Sequence, residues 1–429
     1  MNTRFELMDL VAFVRQHSVF YASHFADAPE RVMSLSELPV IDPVEFWKDS
    51  HDLERWPVLT ARLDNALVFK TGGTTGAGKL SVFERREWQT LVEDFGQSLT
   101  TKLHEGDRVA NLFFVGDLYA SFIFTHDALA HARTGIVEFP FTGQVDSTVL
   151  ADAIVRYRIN VLAGVPAHLL SFATWLERHG QKLEGIERLL YGGESLFPAQ
   201  LRLLGRVFPN VRVASMGYAS VDAGFIGASH PDCALGEHRV PQGHSVVEIL
   251  DEQTGEVIEE CDRPGRLVMT NLTRRLMPLI RYPVGDRACW REPGPSPTRK
   301  FVLMGRSGDS QRIRVGTLTL LPDEIGAAVR RIVGSDDWQL VIEQAGTQDI
   351  LRLRWAADPT GAPPIDVERM LHDALLEHYP LIEQLSADHL LALQIECCAA
   401  RDLERHPRSG KRQRVLDLRV YDSACEERR

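Results

Sequence analysis

The segment Phe69-Lys70-Thr71-Gly72-Gly73-Thr74-Thr75-Gly76-Ala77-Gly78-Lys79 constrains this chain more than any other. Glycine is costly inside a helix or strand, so so dense a cluster of it must be a loop held by its flanks. The apolar run Ala66-Leu67-Val68-Phe69 before it reads as a strand. Glycines let backbone N–H groups approach phosphate oxygens, threonine hydroxyls add donors and lysine supplies charge, so the composition suits a polyphosphate.

Two phosphate-binding readings compete. Gly73 to Lys79 fits the first seven positions of the P-loop G-x-x-x-x-G-K-[ST], which would make the chain a phosphotransferase. The eighth position fails, because Leu80 stands where a hydroxyl should hold magnesium, and no apolar strand ending in a magnesium-binding Asp accompanies it.

The surrounding pattern is α/β. From about residue 66, ALVFK, RVANLFFVG, GIVEFP, NVLAGVP and RLLYGG read as strands alternating with helical RREWQTLVEDFGQSL, LYASFIFTHDALA, ADAIVRYR and HLLSFATWLERH. Between about 243 and 304, strands joined by turns such as Gln253-Thr254-Gly255 predict an antiparallel β subdomain. The boundary falls at Gly305-Arg306-Ser307-Gly308-Asp309. A large N-terminal domain, residues 1–305, is thus followed by a small, mobile α+β domain, residues 306–429. Residues 1–25 read as an amphipathic helix, since Arg4, Glu6, Asp9 and Arg15 interrupt the apolar spacing, and not as a secretion signal. A formal charge of -11 argues against a nonspecific nucleic-acid or anionic-membrane binder. Six cysteines without repeated spacing read as reduced thiols in a soluble, cytoplasmic protein.

Further motifs follow in order: Tyr191-Gly192-Gly193-Glu194-Ser195-Leu196, Tyr218-Ala219-Ser220-Val221-Asp222, Tyr282-Pro283-Val284-Gly285-Asp286, Gly305-Arg306-Ser307-Gly308-Asp309 and Ser409-Gly410-Lys411-Arg412. With the phosphate loop, this series resembles the adenylate-forming superfamily of acyl-CoA ligases, luciferases and peptide-synthetase adenylation domains. The compact length and the ending GKRQRVLD are most similar to the phenylacetate-CoA ligase branch, whose relatives also occur in phenazine pathways.

The resemblance implies a role for each matched residue. Thr71, Gly72, Gly73, Thr74, Thr75, Gly76 and Lys79 would cradle the phosphates of ATP, with Thr75 close to the reaction. Gly192, Gly193 and Glu194 would wall the adenine, Tyr218 would stack on it, and Ala219 and Ser220 would line the nucleotide. Asp286 would accept hydrogen bonds from the ribose hydroxyls, Arg306 would hold ribose or phosphate, and Lys411 would reach the α-phosphate from the small domain. Asp222 would be the Mg2+ ligand, one methylene shorter than the family's Glu, while Val221 replaces a phosphate-binding Thr. Phe114, Asp117, Tyr119 and Gly217 would form the pocket of a small-molecule carboxylic acid. The aromatics suit an aryl acid, and Asp117 invites a hydroxyl, ring nitrogen or amino group.

The implied reaction is ATP-dependent formation of an acyl-adenylate with release of pyrophosphate, followed by transfer to coenzyme A. A carrier protein, an amine or a hydroxyl would demand little change in these motifs, and a homodimer is left open. Asp222 and Val221 also suggest a catalytically weak nucleotide-binding relative. His230, Cys233, His238, His244 and Cys261 lack paired zinc-site spacing and read as ordinary loop residues.

Overall fold

A computed structural model describes residues 3–70, 79–306, 313–316, 318–356, 366–404 and 414–419. Its centre is a five-stranded parallel sheet in the order Val137–Phe139, Arg108–Asn111, Val161–Gly164, Arg188–Tyr191, Arg212–Ser215. Successive side chains point to opposite faces. Val109, Val161, Ala163 and Leu190 meet the helices Arg85–Leu99 and Ser121–Ala130. Ala110, Leu162, Leu189 and Tyr191 meet Ser147–Tyr157, Pro166–Arg178 and Pro198–Val207. Both faces are covered, which explains why these strands read as unbroken apolar runs.

The strand expected over RVANLFFVG ends at Asn111. There the Asn111 side-chain oxygen accepts the Phe113 N–H at 3.2 Å, and Gly116, Asp117 and Leu118 turn through positive φ angles of 114°, 44° and 61°. The N-terminal amphipathic segment is two helices, Thr3–His17 and Val19–His24, divided where the Ser18 hydroxyl accepts the Tyr21 N–H at 3.3 Å.

The expected antiparallel subdomain is present as a five-stranded sheet in the order Glu237–Arg239, Lys300–Arg306, Leu279–Trp290, Gly265–Asn271, Ser245–Leu250. The N-terminal helices cover it through Leu10, Val14 and Tyr21, a third helix, Pro43–Trp47, adds Trp47, and the Tyr21 hydroxyl donates to the Pro278 carbonyl at 2.7 Å. The smaller C-terminal portion has a hairpin, Ile313–Val315 with Leu318–Leu320, and a mixed sheet ordered Leu391–Cys397, Gln348–Trp355, Trp338–Ala345, Val415–Asp417. Strict alternation of buried residues along Gln348–Trp355 turns one face toward the helices Pro322–Val333 and Val367–His378. It rests on the larger portion where Ser171 donates to Asp388 at 3.3 Å and the Gln200 amide to the Thr347 carbonyl at 3.4 Å.

Candidate active site

Four loops leave the carboxyl ends of the parallel strands beside one another, after Asn111, Gly164, Tyr191 and Ser215. Open α/β sheets bind ligands in such a crevice. Here it is a cavity of about 1270 Å³, bordered also by the antiparallel sheet and the C-terminal portion.

Of the residues singled out in the sequence, Lys79, Gly192, Gly193, Glu194, Gly217, Tyr218, Ala219, Ser220, Asp222, Asp286, Phe114 and Tyr119 all line this cavity. Gly193 sits at φ +86° and Gly217 at +142°, conformations that a side chain would strain. A methyl on Gly217 would also stand 3.0 Å from the Phe95 ring and 3.1 Å from the Gly227 carbonyl oxygen.

The Tyr218 hydroxyl donates to the Asp286 carboxylate, tying the ring expected under adenine to the acid expected on ribose. Arg306 lies opposite Asp286 in the sheet register, so its backbone borders the same region. Beneath Tyr218, at 5.8 Å between ring centroids, His238 is buried with Nε2 3.4 Å from the Ser215 hydroxyl. Burial pushes its imidazole down to about 4, so it is neutral at physiological pH.

Asp222 is oriented by donors to both carboxylate oxygens. Ser220 donates at 2.7 Å and Tyr282 at 2.9 Å, and the Tyr282 oxygen accepts the Trp47 indole N–H at 2.9 Å. The Lys79 ammonium lies 5.4 Å from the centre of the Trp47 ring. Sequence reasoning missed Arg274, which is 1% exposed. Its guanidinium donates to the carbonyls of Asp222 and, at 2.5 Å, Val82, and lies 3.9 Å from the centre of the Phe83 ring. Burial pushes it down to about 10, still protonated at neutral pH, with Glu87 and Asp222 as the compensating charges. No local pattern marks it, because the groups it joins are remote in sequence.

The phosphate loop joins two strands that pair antiparallel, Ala66–Lys70 and Leu80–Glu84, with Lys70 opposite Leu80. A P-loop opens a helix. A strand after Lys79 therefore removes the phosphotransferase reading. Thr71, Gly72, Gly73, Thr74, Thr75, Gly76 and Lys411 lie outside the described residues, and so does the hinge from Ser307 to Asp309.

Trp88, Phe95, Phe113 and Phe124 give the cavity an aromatic lobe, and Phe114 meets Tyr119 edge-on with centroids 5.5 Å apart. Asp117 is a correction to the expected pocket. Its side chain is 78% exposed and 3.4 Å from the Lys70 ammonium, because the left-handed turn carries it away from the cavity that Lys70 lines. The histidines and cysteines read as ordinary loop residues lie apart: His238 faces Ser215, His244 pairs with Asp94, and Cys261 is exposed. Among the described residues no three His, Cys, Asp or Glu side chains are grouped to hold a metal. The described cysteines are all free, and no described helix is long and apolar enough to cross a membrane.

This fold and this cavity define an adenylate-forming enzyme. The model of the AMP-binding enzyme family matches residues 14–273, and the chain belongs to that family. It is an acid ligase of the phenylacetate-CoA ligase-like branch. It is 24% identical to the phenylacetate-coenzyme A ligase of Thermus thermophilus over 96% of this chain and 95% of that one. It is 26% identical to the indoleacetate–lysine synthetase of Pseudomonas savastanoi over 59% of this chain and 60% of that one. Among solved structures, 2-hydroxyisobutyryl-CoA ligase with its acyl-adenylate and CoA superposes with a TM-score of 0.73 at 18% identity, covering 99% of this chain and 90% of that one.

Proposed function

We propose that this ligase activates a flat, apolar carboxylic acid, an aryl acid, as its acyl-adenylate and passes the acyl group to the thiol of coenzyme A. One observation carries the reading: a single cavity joins the Gly192, Tyr218 and Asp286 end to a lobe of Trp88, Phe95, Phe113 and Phe124. The first suits a nucleoside and the second an aromatic ring. The coenzyme A ligases among its relatives support the acceptor.

A carboxylate oxygen of the acid attacks the α-phosphorus of ATP and pyrophosphate departs with the electrons of the broken P–O bond. Catalysis is then positioning and charge neutralisation. Gly192 and Gly193 leave a flat wall for adenine, Asp286 accepts the ribose hydroxyls, and residues 71–79 cradle the departing phosphates. Lys411 and Arg306 act on the α-phosphate side, with residues 1–305 as the fixed unit and 306–429 as the moving one. Asp222 is the carboxylate that would hold Mg2+. A lone oriented carboxylate fits this ion, which takes its other ligands from water and phosphates, and when bound it neutralises phosphate charge. A cytoplasmic location agrees with the free thiols.

The test is pyrophosphate exchange with a panel of aryl and alkyl acids, run with and without coenzyme A. Aryl acids should drive exchange and yield thioesters when coenzyme A is present. Exchange driven equally by short alkyl acids would refute the assignment of the lobe.

A further inference from the structure

The phosphate loop has a lysine at each of its ends. Lys70 closes the strand Ala66–Lys70 and Lys79 precedes the strand Leu80–Glu84. Lys70 pairs with Leu80 in the register, so both lysines stand at the base of the loop, and both line the cavity. The Lys79 ammonium has the Trp47 ring behind it. Lys70 is held by the turn at Gly116 to Leu118 instead. Its N–H donates to the Leu118 carbonyl at 2.9 Å, and its ammonium meets the Asp117 carboxylate at 3.4 Å.

That contact is made at a cost. Asp117 and Leu118 sit one after the other at φ 44° and 61°, a left-handed backbone that residues with a Cβ adopt rarely and that persists where function maintains it. The ion pair it creates adds little to stability, because the Asp117 side chain is 78% exposed and water competes for it. The Lys70 side chain is only 22% exposed. A strained turn therefore keeps an ammonium at the edge of the cavity, on a partner weak enough to be exchanged. Val221, tied to the same hairpin where its carbonyl accepts the Ser81 hydroxyl at 2.8 Å, lines the cavity there with methyl groups alone. A polyphosphate beside the loop carries several negative charges where Asp117 carries one, and it meets Lys70 farther from bulk water.

We propose that Lys70 is a phosphate-binding residue: with nucleotide bound, its ammonium leaves Asp117 and donates to the β- and γ-phosphates, the part released as pyrophosphate. The proposal rests on the adenylation reading and adds to it a cation outside the glycine-rich segment, with Asp117 as the competitor that holds it while the site is empty.

The probe is inorganic pyrophosphate, titrated in the exchange reaction with ATP, Mg2+ and an acid that supports exchange. K70M should raise the half-saturating pyrophosphate concentration about tenfold, the loss of one charge-assisted hydrogen bond, and leave that of the acid unchanged. K70R should recover most of the loss, since it keeps the charge. D117N should act in the opposite direction and lower the half-saturating pyrophosphate concentration about twofold, because it frees Lys70 while asparagine tolerates the left-handed turn. An unchanged pyrophosphate requirement in K70M, or a shift in the acid requirement in its place, would overturn the proposal. So would an unchanged or raised pyrophosphate requirement in D117N, which decides the matter even where K70M gives no exchange. Absence of exchange in the unaltered chain would instead overturn the adenylation reading beneath it.

Discussion

Replacing Arg274 by methionine isolates what a buried guanidinium contributes to this site. Methionine keeps much of the volume beside Phe83 but removes donors from the carbonyls of Asp222 and Val82. A buried carbonyl left without its donor costs about 1–3 kcal/mol, so the pair costs roughly 2–6 kcal/mol. Glu87 does not become an unsupported charge, because it still accepts the backbone N–H groups of Arg275 and Leu276 at 2.6 and 2.8 Å. The loss therefore falls on the connection between the phosphate-loop hairpin and Asp222. Urea unfolding followed by tryptophan fluorescence should show a stability loss of about 4 kcal/mol. Pyrophosphate exchange by the folded fraction should drop about tenfold or more as Asp222 loses register with the loop. A stability change below about 1 kcal/mol would refute the reasoning, since it would mean that neither carbonyl depends on Arg274.

Tyr282→Phe removes the hydroxyl between Asp222 and Trp47 and should raise the half-saturating Mg2+ concentration about fivefold in exchange assays. Gly217→Ala, forced to φ +142° against Phe95, should cost about 1–3 kcal/mol, read as a lowered Tm. Lys411→Ala should slow adenylation about a hundredfold with little change in the unfolding midpoint of the larger portion. Acid should destabilise the protein through His238. The unfolded imidazole protonates near 6.5 and the buried one only at about 4, so stability present above 6.5 is lost as pH falls between those values, by about 3 kcal/mol. His238→Gln should flatten that part of the stability profile against pH.

What the sequence reveals here is what repeats locally. The helix Arg85–Leu99 announces itself by periodicity, the strand Val161–Gly164 by an unbroken apolar run, and Asp286 and Tyr218 by motifs whose spacing survives in one dimension. What it conceals is made by contact at a distance. Arg274 reaches carbonyls in two other elements, Trp47 stands behind Tyr282 from an N-terminal helix, and Asp349 meets Arg419 across a sheet. Asp117 shows the opposite failure. Its place beside pocket aromatics in sequence pointed inward, but three successive positive φ angles at Gly116, Asp117 and Leu118 turn its side chain to solvent. Ser18 shows how one hydroxyl can divide an apolar helical pattern, because a cap at Tyr21 competes with helix continuation.

The products of ATP turnover test the account most directly. With an aryl acid and Mg2+, the chain should convert ATP to AMP and pyrophosphate only when the acid is present, and labelled pyrophosphate should return to ATP. Formation of ADP, or turnover indifferent to the acid, would contradict the account at its centre.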